Sequence, residues 1–346
     1  MDTFPNPHRG GGLQGAAVFD APAPATDADP VDALLARCPA AAPAPLVDAT
    51  GLAASLGVDK LHVKDERARM GLGSFKALGA AYVIAHQAAE TGADDMATAL
   101  AGRTYVTASA GNHGMSVAAG ARVFGARAVV YLADTVPESF AQRLRDKGAE
   151  VRREGSDYAA SMAGAERAAR DEGFTLLSDS SWAGYTDLPW RLMEGYLAMA
   201  AETVRQVPEV PTHIYLQAGV GGLAAAAAAH FRAAWGNAPQ IVVVEPGSAP
   251  ALTRSLQAGR VIDTQGPDSH MGRLDCKTPS AIALRGLSRD ADRFVTISEA
   301  EGAAVLPLLA AHGLATTSSG GAGLAAVLAD PPAGARVLCV LSEAPA

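Results

Sequence analysis

From Leu61 onward, short apolar runs alternate with longer helical stretches, and this rhythm restricts the fold more than any other feature of the chain. Leu61–Lys64 reads as a strand, and Gly73–Gln87 as a helix opened by Ser74 as N-cap. The pattern continues with strand Thr104–Thr107, helix Asn112–Phe124, strand Ala128–Leu132, helix Ser139–Lys147 ended by Gly148, strand Glu150–Arg152 and helix Tyr158–Glu172. It resumes with helix Tyr196–Val204, strand His213–Gln217, an Ala-rich helix Gly222–Trp235 and strand Ile241–Val244. Helices Ala303–His312 and Gly321–Leu328 precede a last strand, Val337–Leu341. Alternation of this kind predicts an α/β fold with parallel sheets covered on both faces. In such sheets ligands bind in the loops that follow the carboxyl ends of the strands.

With 346 residues, 49% of them apolar, the chain can fill two α/β domains or one large one. The first 45 or so residues, rich in Pro, Ala, Gly and Asp, read as an extended arm with a short helix at Val31–Arg37. A net charge of −8 and an aromatic content of 5% argue against nucleic acid or an anionic membrane surface as partner. Small molecules or proteins remain. Cys38, Cys276 and Cys339 match no metal spacing, and their low, odd number suits a reducing compartment. Met1–Gly12 does not read as a signal peptide, and the apolar stretch Leu223–Phe231 is too short to span a bilayer. A cytoplasmic location is the expectation.

Three loops at strand ends carry unusual residues. Gly71-Leu72-Gly73-Ser74-Phe75-Lys76 could cradle a phosphate, although its lysine is misplaced for a nucleotide-binding loop. Taken alone, Lys76 reads more readily as a surface lysine at a helix start. Ser109-Ala110-Gly111-Asn112-His113-Gly114 is a small-residue turn that frees several backbone N–H groups at a helix start, a site for a carboxylate or merely an Asn-capped turn. Gln217-Ala218-Gly219-Val220-Gly221-Gly222 sets three glycines before the Ala-rich helix, where no Cβ obstructs a phosphate and the helix dipole favours one. It is not the dinucleotide fingerprint, because the glycine spacing differs and no acid follows at the usual distance.

Their order resembles the fold-type II pyridoxal phosphate (PLP) enzymes, a family that includes serine and threonine dehydratases, serine racemase and diaminopropionate ammonia-lyase. The likeness runs from about Pro45 to the C-terminus. It implies two doubly wound domains with the active site between them: a large cofactor domain of residues 46–78 and 187–346, and a small domain of 79–186. It places the Schiff-base lysine at Lys76, and the substrate carboxylate on Ser109, Ala110, Gly111 and His113. Asn112 would bond the cofactor's phenolic oxygen, Ala218, Gly219, Val220, Gly221 and Gly222 its phosphate, and Ser342 its pyridine nitrogen. A hydroxyl partner makes a milder electron sink than a carboxylate and suits α,β-elimination. Away from water, Lys76 is expected to have a lowered pKa and to act as base. A homodimer is the family expectation.

Within that family, Leu177-Ser178-Asp179-Ser180-Ser181-Trp182-Ala183-Gly184-Tyr185 is similar to a segment of diaminopropionate ammonia-lyase. The resemblance implies that Asp179 faces a β-amino leaving group, although a loop acid capping Ser181 or Trp182 is the plainer alternative. The chain departs from the lyase in three places. Ala110 replaces an Asp positioned to take the α-proton of a D-substrate, so action on L-substrates alone is expected. Thr317-Ser318-Ser319-Gly320-Gly321 lacks the lyase's Glu. Asp275 and Lys277 replace small residues, implying a charged substrate contacted by Asp275 or else a solvated turn. The function expected is elimination of ammonia from an L-amino acid with a β-amino leaving group, giving a 2-oxo acid. Lys76 would remove the α-proton, and Asp179 or the cofactor phosphate would protonate the leaving group. An L-serine, L-threonine or 3-hydroxy-amino-acid dehydratase is the alternative, and a non-catalytic PLP-binding protein is the reading of another class. No metal site is expected, although Glu245 sits where some relatives carry a metal ligand.

Overall fold

The computed structural model describes residues 1–345. Eleven strands form two sheets: β1 (Asp2–Pro5), β2 (Leu46–Asp48), β3 (Lys60–Asp65), β4 (Thr104–Ala108), β5 (Arg127–Leu132), β6 (Glu150–Arg153), β7 (Thr175–Leu176), β8 (His213–Gln217), β9 (Gln240–Pro246), β10 (Arg293–Ile297) and β11 (Arg336–Leu341). The larger sheet has seven strands in the order β1-β10-β9-β8-β11-β3-β2, and the smaller has four in the order β6-β5-β4-β7. Every interior pairing is parallel, and only the edge strands β1 and β2 run antiparallel to their neighbours. The whole of β4 to β7 is therefore inserted between β3 and β8 of the larger sheet. Ile241 to Val244 of β9 have no exposed surface, as expected of parallel strands covered by helices on both faces.

The Ala-rich helix is Gly222–Trp235, as its sequence predicts, and residues Leu223 to Ala229 are buried. Alanine loses no side-chain entropy on burial and lets this helix pack closely against helices Leu197–Gln206 and Ala281–Asp290. Among the described residues no helix is long and apolar enough to cross a membrane.

Two helices differ from expectation. Gly73–Gln87 is not one helix: Ser74 is extended and makes no side-chain cap, Phe75–Leu78 forms a 3-10 turn, and the α-helix begins only at Ala80. The break falls at Gly79, whose φ of −91° and ψ of −88° are not helical, and a Cβ there would lie 2.8 Å from the Tyr196 hydroxyl, so the close approach of Tyr196 requires glycine at the break. Ala303–His312 divides into Glu299–Ala304 and Leu306–Ala311, since Pro307 lacks the N–H that a continuous helix needs. The arm is also more structured than its composition suggests. β1 pairs with β10, the short helix is Asp29–Leu35, and the Asn6 amide donates to the carbonyls of Ser288 (2.8 Å) and Ala291 (2.6 Å).

Candidate active site

Both sheets direct the carboxyl ends of their parallel strands toward one cleft. β4 leads into Ser109–Gly114, β7 into Asp179, β8 into Gly219–Gly222 and β11 into Ser342 and Glu343. Lys76 enters from the 3-10 turn Phe75–Leu78, whose preceding residue Ser74 forms an isolated bridge with Glu343. The amine of Lys76 donates to the Asp179 carboxylate, and each side chain keeps about a fifth of its surface exposed. Asp179 is thus neither a helix cap nor a surface acid. Its own carbonyl lies 4.0 Å from where a Cβ on Gly222 would stand, which brings the lysine, the acid and the glycine loop together.

The two helix starts are open. In the glycine loop, Gly221 has φ +96°, a left-handed turn into Gly222–Trp235 that a residue with a Cβ would adopt only under strain. Among the described residues, the N–H groups of Gly219, Gly221, Gly222 and Leu223 meet no backbone or side-chain oxygen. The same holds for Asn112, His113 and Gly114 at the start of helix Asn112–Val123. Each end offers converging donors and the positive pole of a helix of at least three turns. Ala110 contributes no polar side chain, while the Ser109 hydroxyl turns back to accept from the Gly111 N–H at 3.3 Å.

Charge and burial set the protonation states. Burial alone would lower the Lys76 pKa, but Asp179 beside it holds the amine above its ordinary value. This corrects the expectation of a low-pKa lysine: the pairing carboxylate outweighs desolvation. Burial would likewise raise Asp179, yet Lys76 keeps it below the usual carboxylate range. His113 is driven down by burial, and its Nε2 donates to the Leu177 carbonyl at 2.8 Å. Burial pushes the Tyr196 phenol up to about 12 and the Cys276 thiol also to about 12.

Several residues that the sequence did not single out belong to the cleft. Tyr196 is buried, stacks edge-on with Phe75 at 5.0 Å, and leaves its hydroxyl without a partner among the described residues. Glu343, 5% exposed, accepts from the Asn112 amide at 2.5 Å and from the Thr317 hydroxyl. Arg273 Nε stands 3.5 Å from the same carboxylate. The Cys276 sulfur lies 2.9 Å from where a Cβ on Gly219 would be, so the segment around it covers the glycine loop. The Asp275 carboxylate pairs with Lys277 at 2.6 Å and accepts from the Ser269 N–H at 3.1 Å, so the extra charges cancel within their own loop. Glu245 accepts from the N–H groups of Leu252 and Thr253, both at 2.8 Å, as a cap for helix Ala251–Ala258.

These features fit a phosphorylated aldehyde cofactor. A buried O–H donor without an acceptor is costly, and Tyr196 carries one close to Lys76, while a row of free N–H groups stands ready for a dianion. Gly219–Leu223 would hold the phosphate, Lys76 the aldehyde carbon, and the second N–H of the Asn112 side-chain amide and the Ser342 hydroxyl, at the end of β11, the ring.

Comparison with known proteins agrees with this geometry. The family described as pyridoxal-phosphate dependent enzyme matches residues 38–343. Diaminopropionate ammonia-lyase of Salmonella typhimurium is 32% identical over 272 residues, covering 71% of this chain and 66% of that enzyme, so the chain spans about two thirds of its relative's length. The solved structure of Escherichia coli diaminopropionate ammonia lyase in complex with D-serine superposes with a TM-score of 0.88 at 26% identity, covering 99% of this chain and 93% of that one. The same enzyme in complex with its aminoacrylate-PLP azomethine reaction intermediate gives 0.85 at 27% identity, with the same coverage.

Proposed function

The chain belongs to the pyridoxal-phosphate dependent enzyme family, and from that premise we propose that it is an ammonia-lyase releasing the β-amino group of an L-2,3-diamino acid. The observation that carries this reading is the Lys76–Asp179 pair, which places a base and an acid side by side between two open helix starts.

Pyridoxal phosphate, when bound, supplies a sink for the electron pair left at Cα. The chain's own groups do the rest. The N–H groups of Asn112 to Gly114 hold the α-carboxylate and fix Cα beside the lysine. Lys76 Nζ takes the α-proton. Asp179, whose carboxyl Lys76 holds below the usual carboxylate range in the cofactor-free protein, pairs with the substrate's β-ammonium, which departs as ammonia with the electron pair of its C–N bond. Overall, a diamino acid and water give a 2-oxo acid and two molecules of ammonia. Residues 46–78 with 187–346 form the cofactor-holding half in this reading and 79–186 the other half, and the arrangement of the two sheets supports the division. A homodimer acting in the cytoplasm belongs to the same proposal and rests on likeness to the family.

The test is product stoichiometry with L-2,3-diaminopropionate, L-serine and L-threonine. Two ammonia per 2-oxo acid from the diamine, with weak turnover of the hydroxy acids, is the expected result. Turnover confined to serine or threonine would replace this reading with the dehydratase alternative, which Ala110 favours because L-specific serine dehydratases are similar there.

A further inference from the structure

Arg273 stands out among the charged side chains of the cleft because its cation is only loosely answered. Its Nε lies 3.5 Å from Glu343, but that carboxylate already accepts from Asn112 and Thr317. Among the described residues, neither terminal nitrogen of the guanidinium meets a hydrogen-bond acceptor. The group is also held in place. A methyl group added at Gly111 would come within 3.0 Å of Nη1 and 3.3 Å of Cζ, so the guanidinium packs against the loop while 37% of the side chain's surface stays exposed. The Phe140 ring stands 5.8 Å from Cζ, a cation–π distance. The backbone N–H of Arg273 is tied to the Ser319 hydroxyl at 3.2 Å. A fork with free N–H groups is thus fixed beside the open start of helix Asn112–Val123.

We propose that Arg273 is a substrate-binding, specificity-determining residue that clamps the α-carboxylate against the N–H groups of Asn112 to Gly114, with Glu343 as the positioning residue that braces it. The inference rests on the reading above that an amino acid binds at this loop. Glu343 spans three segments, Asn112 of the smaller-sheet region, Thr317 of the larger and Arg273 of the covering loop, so the clamp forms only when all three are assembled. Arginine suits the task because its planar fork matches a carboxylate, which a lysine point charge does not.

The experiment uses the holoprotein and an unreactive pair of probes, L-alanine and L-alaninamide, with binding read from the cofactor's absorbance and folding from the melting temperature. In the wild type the carboxylate is expected to bind more tightly than the amide. Arg273→Gln is expected to weaken L-alanine by about 10- to 100-fold, as loss of a charge-assisted pair implies, and L-alaninamide by less than about 3-fold. Arg273→Lys restores part of the preference, and Glu343→Gln gives an intermediate loss. Equal weakening of both probes, or an unchanged preference in Arg273→Gln, would overturn the proposal by reducing Arg273 to a loop anchor. If the wild type binds neither probe yet turns over L-2,3-diaminopropionate, this inference falls and the proposed function stands; if the diamine is not turned over either, both fall.

Discussion

The Lys76 amine and the Asp179 carboxylate, residues from opposite sides of the cleft, form a direct ion pair in which each holds the other in its charged form. The lysine is raised, so the pair's contribution on its account is present below the ordinary lysine value of 10.5 and fades only at strongly alkaline pH. The acid is lowered, so its contribution is present above 3.8 and fades only in strong acid. Near neutrality the cofactor-free protein keeps both charges, and a free amine must be liberated before Lys76 can act as nucleophile or base.

Replacing Asp179 with Asn removes the charge that opposes desolvation, so the Lys76 pKa falls. The pH midpoint for loading apo-protein with PLP should move downward, and loading at pH near 7 should become faster. Turnover of the diamine should nonetheless drop by roughly 10²–10⁴-fold, the range for loss of a positioned acid or base, and Lys76→Ala should lose at least as much. Loading is followed by absorbance and turnover by ammonia release. An unchanged loading midpoint would show that the pair does not govern the amine.

Beneath the arm, Glu202 accepts from Lys64 at 2.7 Å, from Arg69 at 2.7 and 2.8 Å, and from the Ala44 N–H at 3.0 Å, all in the interior. Glu202→Gln leaves two buried cations facing Glu66 alone. Breaking one member of such a cluster costs about 3–5 kcal/mol, because a buried charge is left uncompensated. The urea midpoint should fall accordingly, and the arm near Ala42–Ala44 should become sensitive to protease. A loss below about 1 kcal/mol would count against a structural role for the cluster.

His113 gives the protein an acid-side weakness. Burial lowers its pKa below 6.5, so as pH falls through 6.5 the unfolded chain takes up a proton that the folded one resists. Stability on this account is full above 6.5 and declines below it, levelling only once the folded histidine itself protonates. His113→Gln can still donate to the Leu177 carbonyl and should flatten the slope of unfolding free energy between about pH 6.5 and 5. An equally steep slope in the variant would assign the acid sensitivity to other groups.

The parts of the site that lie within one loop were readable from the sequence, and the parts made by meetings between loops were not. Lys76, Asn112 and the glycine loop announce themselves through residue type beside a strand end, and helix Gly222–Trp235 emerges with its predicted bounds. Glu343 was visible as an acid after an apolar strand, but its partner Asn112 is 231 positions away and nothing periodic links them. Arg273 was passed over for Asp275 and Lys277, whose charges drew notice although they neutralise each other locally. The single helix expected over Gly73–Gln87 breaks at Gly79, where Tyr196, distant in sequence and close in space, leaves no room for a Cβ.

Stereochemistry offers the remaining test, through Ala110. Lys76 approaches the cleft from one side, so it can reach the α-proton of one enantiomer held with its carboxylate on the Asn112–Gly114 N–H groups. The proton of the other enantiomer points away and needs a base on the loop itself. Ala110 carries none, and His113, the titratable side chain next along, donates from Nε2 to the Leu177 carbonyl and keeps its unpartnered Nδ1 buried away from solvent. The wild type should therefore turn over L-2,3-diaminopropionate and leave the D-isomer untouched to within about 1% of that rate, an expected ratio at the low end of what one positioned base contributes. Ala110→Asp places a carboxylate on the opposite face and should bring D-turnover above that floor while changing the L-rate by less than about tenfold. Chiral assay of each isomer with both proteins decides it. Substantial D-activity in the wild type would mean that a group other than residue 110 reaches the far face of the substrate.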